Sequence, residues 1–595
     1  MKKIFNIFAI AAVGISLASC ESFLDTTNYW SRTNDNFPTT EDDADQMLAG
    51  IYNNLNISIG NNVHKNHFLW ANASADDMLG GGANNDQAFQ AEDLLLNFQS
   101  DMYNTFYVDR YKGVSAANLA IASFPNCPLS EDKVARSLGE AYFLRAYYMY
   151  ELASMFGNIP YPLSSTPNPT EPQVSGTVLW GQILADLRMS IDTFPDGTPQ
   201  KGTGHVDKYT AEALLGRVYL FASDFYGATS FEGKNGESTI TVDKTYVQEK
   251  IKDCVNNSGY SLVSDYHNLW SYTNRCTVED KLSPWAGQGY VYAQNDSNVN
   301  PEAMFIIKFN TQPSWSTTIG YSNQTALFLG VRNQGNPHET GDTFPFGTGW
   351  GMCPVNPTFV EEWIAAEPKD ARRDASVVDA VKTWPNYKIS VGDSFIQESL
   401  YYQTKNMPVL ARDTQGKCPS TFWVTYVNEM YPGITWVGDD SNNFQLGCIT
   451  DMIMIRFAEV LLIDAEINGN AESLNKVRAR AGLPEVPCTK ENIIQERRWE
   501  LAFEGIRFND IRRMGEAYAV RALDKQSDAI VYNDGVQGPN VPTTGYIGYG
   551  ARYSATKGFV TIPESQIALS AGAGEQYRYV QNEGWGNDAQ YAGWH

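Results

Sequence analysis

Three consecutive segments, MIMIRFAEVLLIDAEI (452–467), LNKVRARAG (474–482) and NIIQERRWELAFEGIRFNDIRRMG (492–515), decide how the rest of the chain reads. In the first, Ile453, Phe457, Val460 and Leu461 recur at three- and four-residue spacing, which predicts a helix with one buried face, interrupted by Arg456, Glu459 and Glu466. Asn468-Gly469-Asn470 stops it, and the second, shorter helix ends at Gly482 and Pro484. The third segment sets Glu496, Glu500 and Glu504 four residues apart beside Arg497, Arg498, Arg507, Arg512 and Arg513, on one predicted helix that also carries Ile493, Ile494, Trp499, Leu501, Phe503 and Ile506. Such a helix is too charged for an ordinary core and too apolar for a solvated surface. It is expected to clamp neighbouring helices, apolar on one side and ion-paired on the other. A phosphate or catalytic site would need a Gly-rich loop before the cluster or a His near it, and neither is there.

The 595 residues allow several domains or one large helical one. A net charge of −24 opposes nucleic acid and charge-driven adhesion to an anionic membrane. Aromatics make up 13% of the chain, with 14 Trp and 33 Tyr, a composition suited to wet, amphipathic binding surfaces. The N-terminus reads as a targeting segment. Lys2 and Lys3 precede an apolar run, Ile4 to Leu17, too short for a normal span, and Leu17-Ala18-Ser19-Cys20 has a lipobox-like cleavage pattern. Residues 1–19 are therefore expected to be a lipoprotein signal peptide, Cys20 the acylated first mature residue, and 20–36 a polar tether. The other seven cysteines are odd in number and scattered, no HExxH pair is present, and no twelve-residue calcium loop occurs. No cofactor, metal site or disulfide framework is expected.

Along the chain, Pro38-Thr39-Thr40-Glu41 begins a helix with a plausible Thr cap, and Ala44, Met47, Leu48, Ile51, Tyr52 and Leu55 lie on one face of it. Residues 64–85 read as a loop, and 87–124 as one long helix or a pair. GEAYFLRAYYMYELASMFG and AEALLGRVYLFASDFYG then align without gaps, placing Glu140, Ala141, Arg145 and Tyr147 over Glu212, Ala213, Arg217 and Tyr219, about twice the period of a helical-hairpin repeat. This predicts a mainly α, TPR-like hairpin scaffold. From Thr229 helical periodicity fades and Gly, Asn, Ser, Tyr and Trp accumulate around one short apolar run, Ala303–Asn310, read as a strand.

RFAEVLLIDAE, LNKVRARAGLP and ERRWELAFEGIRFNDIRRMG, in that order, resemble the C-terminal signature of the SusD/RagB family of nutrient-binding lipoproteins. FLRAYYMYELASMFGNIP, VDKYTAEALLGRVYLFAS, the Asp370-Arg372-Arg373 element and TIPESQIALS also look like the family, with Gln566 where a Glu is expected. The resemblance implies one SusD-like domain over 37–595: TPR-like helices mainly in 37–228 and 451–515, and a loop-rich ligand-binding lobe mainly in 229–450. It also implies an outer-membrane lipoprotein facing the cell exterior, partnered with a SusC-type TonB-dependent transporter in glycan import.

Sugar rings offer an apolar face rimmed by hydroxyls, so a glycan site needs flat aromatic platforms beside amide and carboxylate groups. The ligand-binding candidates are Trp285, Tyr290, Tyr292, Trp315, Tyr321 and Asn323, with Trp70, Asp76 and Asp77 from the early loop. The carboxylate doublets Asp76-Asp77, Glu361-Glu362 and Asp439-Asp440 are the raw material of a glycosidase, but adjacent residues usually point apart. The expectation is therefore a binding protein and no enzyme, with no catalytic residues. A peptide receptor on the same scaffold and a purely structural solenoid are the alternatives.

Overall fold

A computed structural model describes residues 37–61, 65–195, 197–295, 298–309, 322–332, 343–347, 349–389, 395–409, 448–540, 545–586 and 589–594. Helix α1 (Glu41–Asn61) begins on a reciprocal cap. The Asp43 N–H donates to Thr40 Oγ1 (3.2 Å), while the Asp43 carboxylate accepts from the Thr39 and Thr40 N–H groups (3.0 and 3.1 Å). Then follow α2 (Asn104–Ser123), α3 (Glu131–Phe156), α4 (Gly176–Thr193), α5 (Lys208–Tyr226), α6 (Lys244–Asn257) and α7 (Phe457–Asn468), each packed on the next. This is the expected TPR-like helical scaffold. The hairpin β1 (Ser230–Asn235) and β2 (Ser238–Asp243) lies across α4 so closely that a Cβ on Gly181 would stand 2.3 Å from the Glu232 carbonyl oxygen. With α6, the hairpin carries the scaffold on to Asn257, beyond the change of texture at Thr229.

The internal repeat has a physical counterpart. Arg145 on α3 reaches forward to Asp186 on α4 with two hydrogen bonds (2.7 and 2.6 Å), and Arg217 on α5 reaches forward to Glu459 on α7 in the same way (2.9 and 2.6 Å). All four side chains are buried. The aligned arginines thus do the same work, neutralising an acid on a following helix.

Three local expectations are corrected, and for 87–124 the structure chooses the pair of helices over the single one. Met452–Arg456 is strand β4, paired antiparallel with β3 (Ala303–Ile307), and the helix starts only at Phe457. Five apolar residues fit either period, and the strand partner lies far upstream. Residues 67–73, expected in a loop, form a short, wholly buried helix capped by Asn66. The 87–124 segment holds a short helix, Gln87–Asp93, and α2, with a turn between them. The 492–515 segment, expected as one helix, is two: after α8 (Ala471–Arg480) come α9 (Lys490–Glu500) and α10 (Arg507–Arg513). Between α9 and α10 the chain reverses at Phe503 (φ 65°) and Gly505 (φ 71°).

That turn is held from far away. The Phe503 N–H donates to Asp77 (3.2 Å), the Gly505 N–H to Asn72 (3.0 Å), and Arg507 grips Asp76 with two bonds (2.7 and 2.8 Å). Reversing the chain carries Glu504 back to Arg456 and exposes the α9 carbonyl end, so that Arg456 meets Glu302, Glu500 and Glu504 together. Glu500 also takes Arg372 (2.9 Å) and Arg480, and Arg372 takes Glu496 (2.6 Å) and Asp370 (2.7 Å). The clamp is real, and it is a buried network rather than a surface ladder.

Glu212 on α5 is fully buried. Burial first, then the neighbouring Asp253 carboxylate, pushes its pKa from an ordinary 4.5 to about 9. A carboxyl raised in the folded state binds its proton more tightly than in the unfolded chain, so its contribution is whole below about pH 4.5 and is lost as pH climbs towards about 9. Glu212→Gln should therefore raise stability by several kcal/mol near pH 8.5 and by under about 1 kcal/mol near pH 5. Urea denaturation at the two pH values checks this; an equal effect at both would contradict it.

Candidate functional site

The loop-rich side has its own small core, in which Tyr266, Trp270, Tyr272, Phe346, Trp384 and Tyr402 are all buried. Two aromatics rest on it half-buried. Trp285 leans on Tyr272 (ring centroids 5.0 Å apart) and meets Phe346 edge-on (5.5 Å). Tyr290 stacks flat on His267 (4.2 Å, 12° between planes), and His267 is fixed in turn by Asp265 (2.8 Å). The loop that carries them turns at Gly287 (φ 69°) and Gly289 (φ 80°), conformations open mainly to glycine, which brings Tyr290 back over His267. Asn268 ties down its end, accepting from the Val291 N–H with its side chain and from the Ala293 N–H with its carbonyl (both 2.8 Å). Leu282 and Val291 stand exposed on the same loop. The result is an aromatic shelf with fixed rings.

Further along the same segment is a polar cleft of about 300 Å³ between β3 and the approach to β4. Asp451 holds its polar wall, accepting from Gln294 (2.9 Å) and Lys308 (3.1 Å), while Val299, Ile306 and Phe309 supply the apolar part. Flat rings and a hydroxyl-matching polar cleft can hold a polyhydroxy ligand. Among the described residues nothing here pairs a nucleophile with a base. Asp265 is engaged with His267, and Asp451 with a lysine and an amide.

The structure separates the sequence candidates. Trp285 and Tyr290 form the shelf. Trp70 is 1% exposed and packs edge-on against Phe508 of α10, so it offers no face to a ligand. Asp76 and Asp77 are interior groups. Burial opposes ionisation of Asp76, but Arg498 and Arg507 bring its pKa down to about 2; burial, then the Asp76 charge, pushes Asp77 up to about 6. Tyr292 is buried with its hydroxyl on Gln294 (2.7 Å), and Asn323 is buried as the cap of the helix Gln324–Leu329. The role given to these five as ligand contacts is corrected: each is sealed by packing or by ion pairs. Trp315, Tyr321, Asp439, Asp440 and Cys20 lie outside the described residues. Glu362 pairs with Arg498 (2.6 Å) and Lys525, which removes it as a free carboxylate. Sequence reasoning missed His267 and the Gln294–Lys308–Asp451 group; the lone Asp451 ahead of an apolar run was the available signal.

The model of the SusD family matches residues 361–585, and a second model, described as starch-binding associating with outer membrane, matches residues 22–220. SusD-like protein P2 of Formosa agariphila is 26% identical over 469 residues, covering 73% of this chain and 77% of its own. A SusD-like protein of Bacteroides ovatus is 24% identical over 305 residues, 49% of this chain and 51% of its own. Among solved structures, a laminarin binding SusD-like protein superposes with a TM-score of 0.64 at 22% identity, covering 92% of this chain and all of its own. Surface glycan-binding protein A from Bacteroides thetaiotaomicron, in complex with laminarihexaose, gives 0.62 at 18% identity, covering 91% of this chain and all of its own. With its signature segments, its helical scaffold and these matches at both ends, the chain belongs to the SusD/RagB family.

Proposed function

We propose that this protein is a non-catalytic surface glycan receptor, in which the shelf of Trp285 and Tyr290 takes sugar rings and the cleft at Gln294, Lys308 and Asp451 engages hydroxyls. It is held at the outer membrane by lipid on Cys20, faces the cell exterior and hands oligosaccharide to a SusC-type TonB-dependent transporter. The carrying observation is that Trp285 and Tyr290, half-buried, are propped by buried rings and a hydrogen-bonded His267, so a ligand meets rings already in place. Fixed rings lose little entropy on binding. The names of structural relatives that bind laminarin or laminarihexaose support the ligand class. Each ring contributes on the order of 1 kcal/mol beyond burial, which suits a receptor that releases its ligand to a channel.

The test is incubation of the chain lacking residues 1–20 with a panel of soluble polysaccharides, laminarin and starch included, read by affinity electrophoresis and by release of reducing ends. Retardation by at least one polymer without new reducing ends is expected; new reducing ends would overturn the non-catalytic reading. For the anchor, Cys20→Ala should move the protein from the membrane fraction to the soluble one and abolish incorporation of labelled palmitate. Unchanged fractionation and labelling would contradict it.

A further inference from the structure

A second cleft, of about 420 Å³, lies on the helical scaffold between α2, the segment 160–171 and the C-terminal Tyr579. Its volume falls within the range of small-molecule sites. Its walls are flat: the ring of Tyr111, backed by the buried Tyr107 ring 4.8 Å away, Tyr579, and the prolines Pro160, Pro162 and Pro167. Its rim is polar, with Lys112, Ser115, Ser165, Asn168, Glu171 and Gln566.

The walls are pinned in place. Tyr111 donates to the Pro160 carbonyl (2.6 Å), and Tyr579 to the Glu171 carbonyl (3.2 Å). Asn118 donates to the carbonyls of Pro162 (2.9 Å) and Ser164 (3.1 Å), and is itself held by Arg145 (2.8 Å). Two tyrosine hydroxyls are thus spent on the loop, which fixes these rings as walls. A loop rich in proline and held by four side-chain bonds does not need to be ordered by a ligand.

From this cleft we infer a second saccharide-binding site, separate from the shelf, that takes one or two pyranose units between tyrosine and proline faces with their hydroxyls on the polar rim. It rests on the glycan reading only for the ligand class, and it stands or falls on different residues. Flat apolar walls with a polar rim match the two faces of a sugar: the ring C–H face on tyrosine and proline, and the hydroxyls on Lys112, Asn168, Glu171 and Gln566, which can take them beside the bonds they already make within the chain. A receptor with two weak sites holds a long polymer more tightly than either site alone, when one chain spans both.

Saturation-transfer NMR with laminarihexaose and with maltohexaose tests the site, using wild type, Trp285→Ala/Tyr290→Ala, Ser165→Trp and the triple variant. Ser165→Trp fills the cleft from its rim and leaves the wall tyrosines and their hydrogen bonds to the loop unsubstituted, so it should stay folded, as circular dichroism would report. With at least one hexasaccharide, transfer should persist in Trp285→Ala/Tyr290→Ala and fall at least fivefold when Ser165→Trp is added. Loss of all transfer in Trp285→Ala/Tyr290→Ala, or indifference of the residual signal to Ser165→Trp, as a cleft for a protein loop would give, overturns the second site. Loss on Ser165→Trp alone, with Trp285→Ala/Tyr290→Ala unaffected, upholds it and overturns the shelf. No transfer to wild type from either sugar overturns it as well.

Discussion

Glu500→Ala is expected to destabilise the protein by about 4 kcal/mol, a large loss for one substitution. Glu500 is fully buried and touches Arg372, Arg456 and Arg480. Burial alone would raise its pKa, but the three guanidinium groups override burial and hold it well below the usual carboxylate range. A buried pair adds little net stability against an apolar replacement of the whole cluster, because desolvation offsets attraction. Removing one partner is different: here three cations would stay in the interior with their shared counter-charge gone. The cluster joins α8, α9, β4 and the capped start of the helix Ala371–Ser376, so its failure should loosen the C-terminal helices from the lobe as a unit. Glu500→Gln, which keeps hydrogen-bonding capacity, should lose less. Glu575→Ala, which removes an exposed pair with Arg578, should cause no measurable change. Urea unfolding followed by circular dichroism measures all three, and a loss under about 1 kcal/mol for Glu500→Ala would contradict the account. The sign with pH follows from the same group. Its folded-state pKa is depressed, so the stability it confers is present above about pH 4.5 and is lost on acidification below that.

The second large effect is on binding. Trp285→Ala/Tyr290→Ala removes both rings of the shelf while leaving Tyr272, Phe346 and His267 in the core beneath it. At about 1 to 1.4 kcal/mol for each ring, the pair should lower glycan affinity roughly 30- to 100-fold at the shelf. Because both rings are only half-buried, the thermal midpoint should change little. Trp70→Ala should do the reverse. Its ring fills a core site against Phe508, so the variant should be destabilised by about 3 to 5 kcal/mol with ligand affinity unchanged where it still folds.

The scaffold was legible in the sequence because its helices are long and periodic, and because Arg145 and Arg217 recur at one position in two of them. The clamp was legible as chemistry, since so many opposed charges among Ile and Trp have to meet partners inside. Its geometry was not. Nothing local distinguishes the strand Met452–Arg456 from a helical turn, and the reversal at Phe503 and Gly505 depends on Asn72 and Asp77, early in the chain. The same distance misled the site reading. Asp76 and Asp77 looked like the polar rim of a sugar site because Arg507, the cation that buries Asp76, lies 431 residues later. Trp70 failed for a related reason: composition reports how many rings a segment has, and only packing decides which are covered. Trp285 and Tyr290 fared better because a Gly-Gln-Gly turn beside them, in a segment with no helical period, marks a surface loop.

The most direct test of the central claim is calorimetric titration of one soluble glycan, chosen from the panel by its retardation of wild type, into wild type and Trp285→Ala/Tyr290→Ala side by side. The account predicts saturable binding to wild type, a loss of roughly 30- to 100-fold at one site in the variant, and identical melting curves. Equal affinity in the two folded proteins would contradict it.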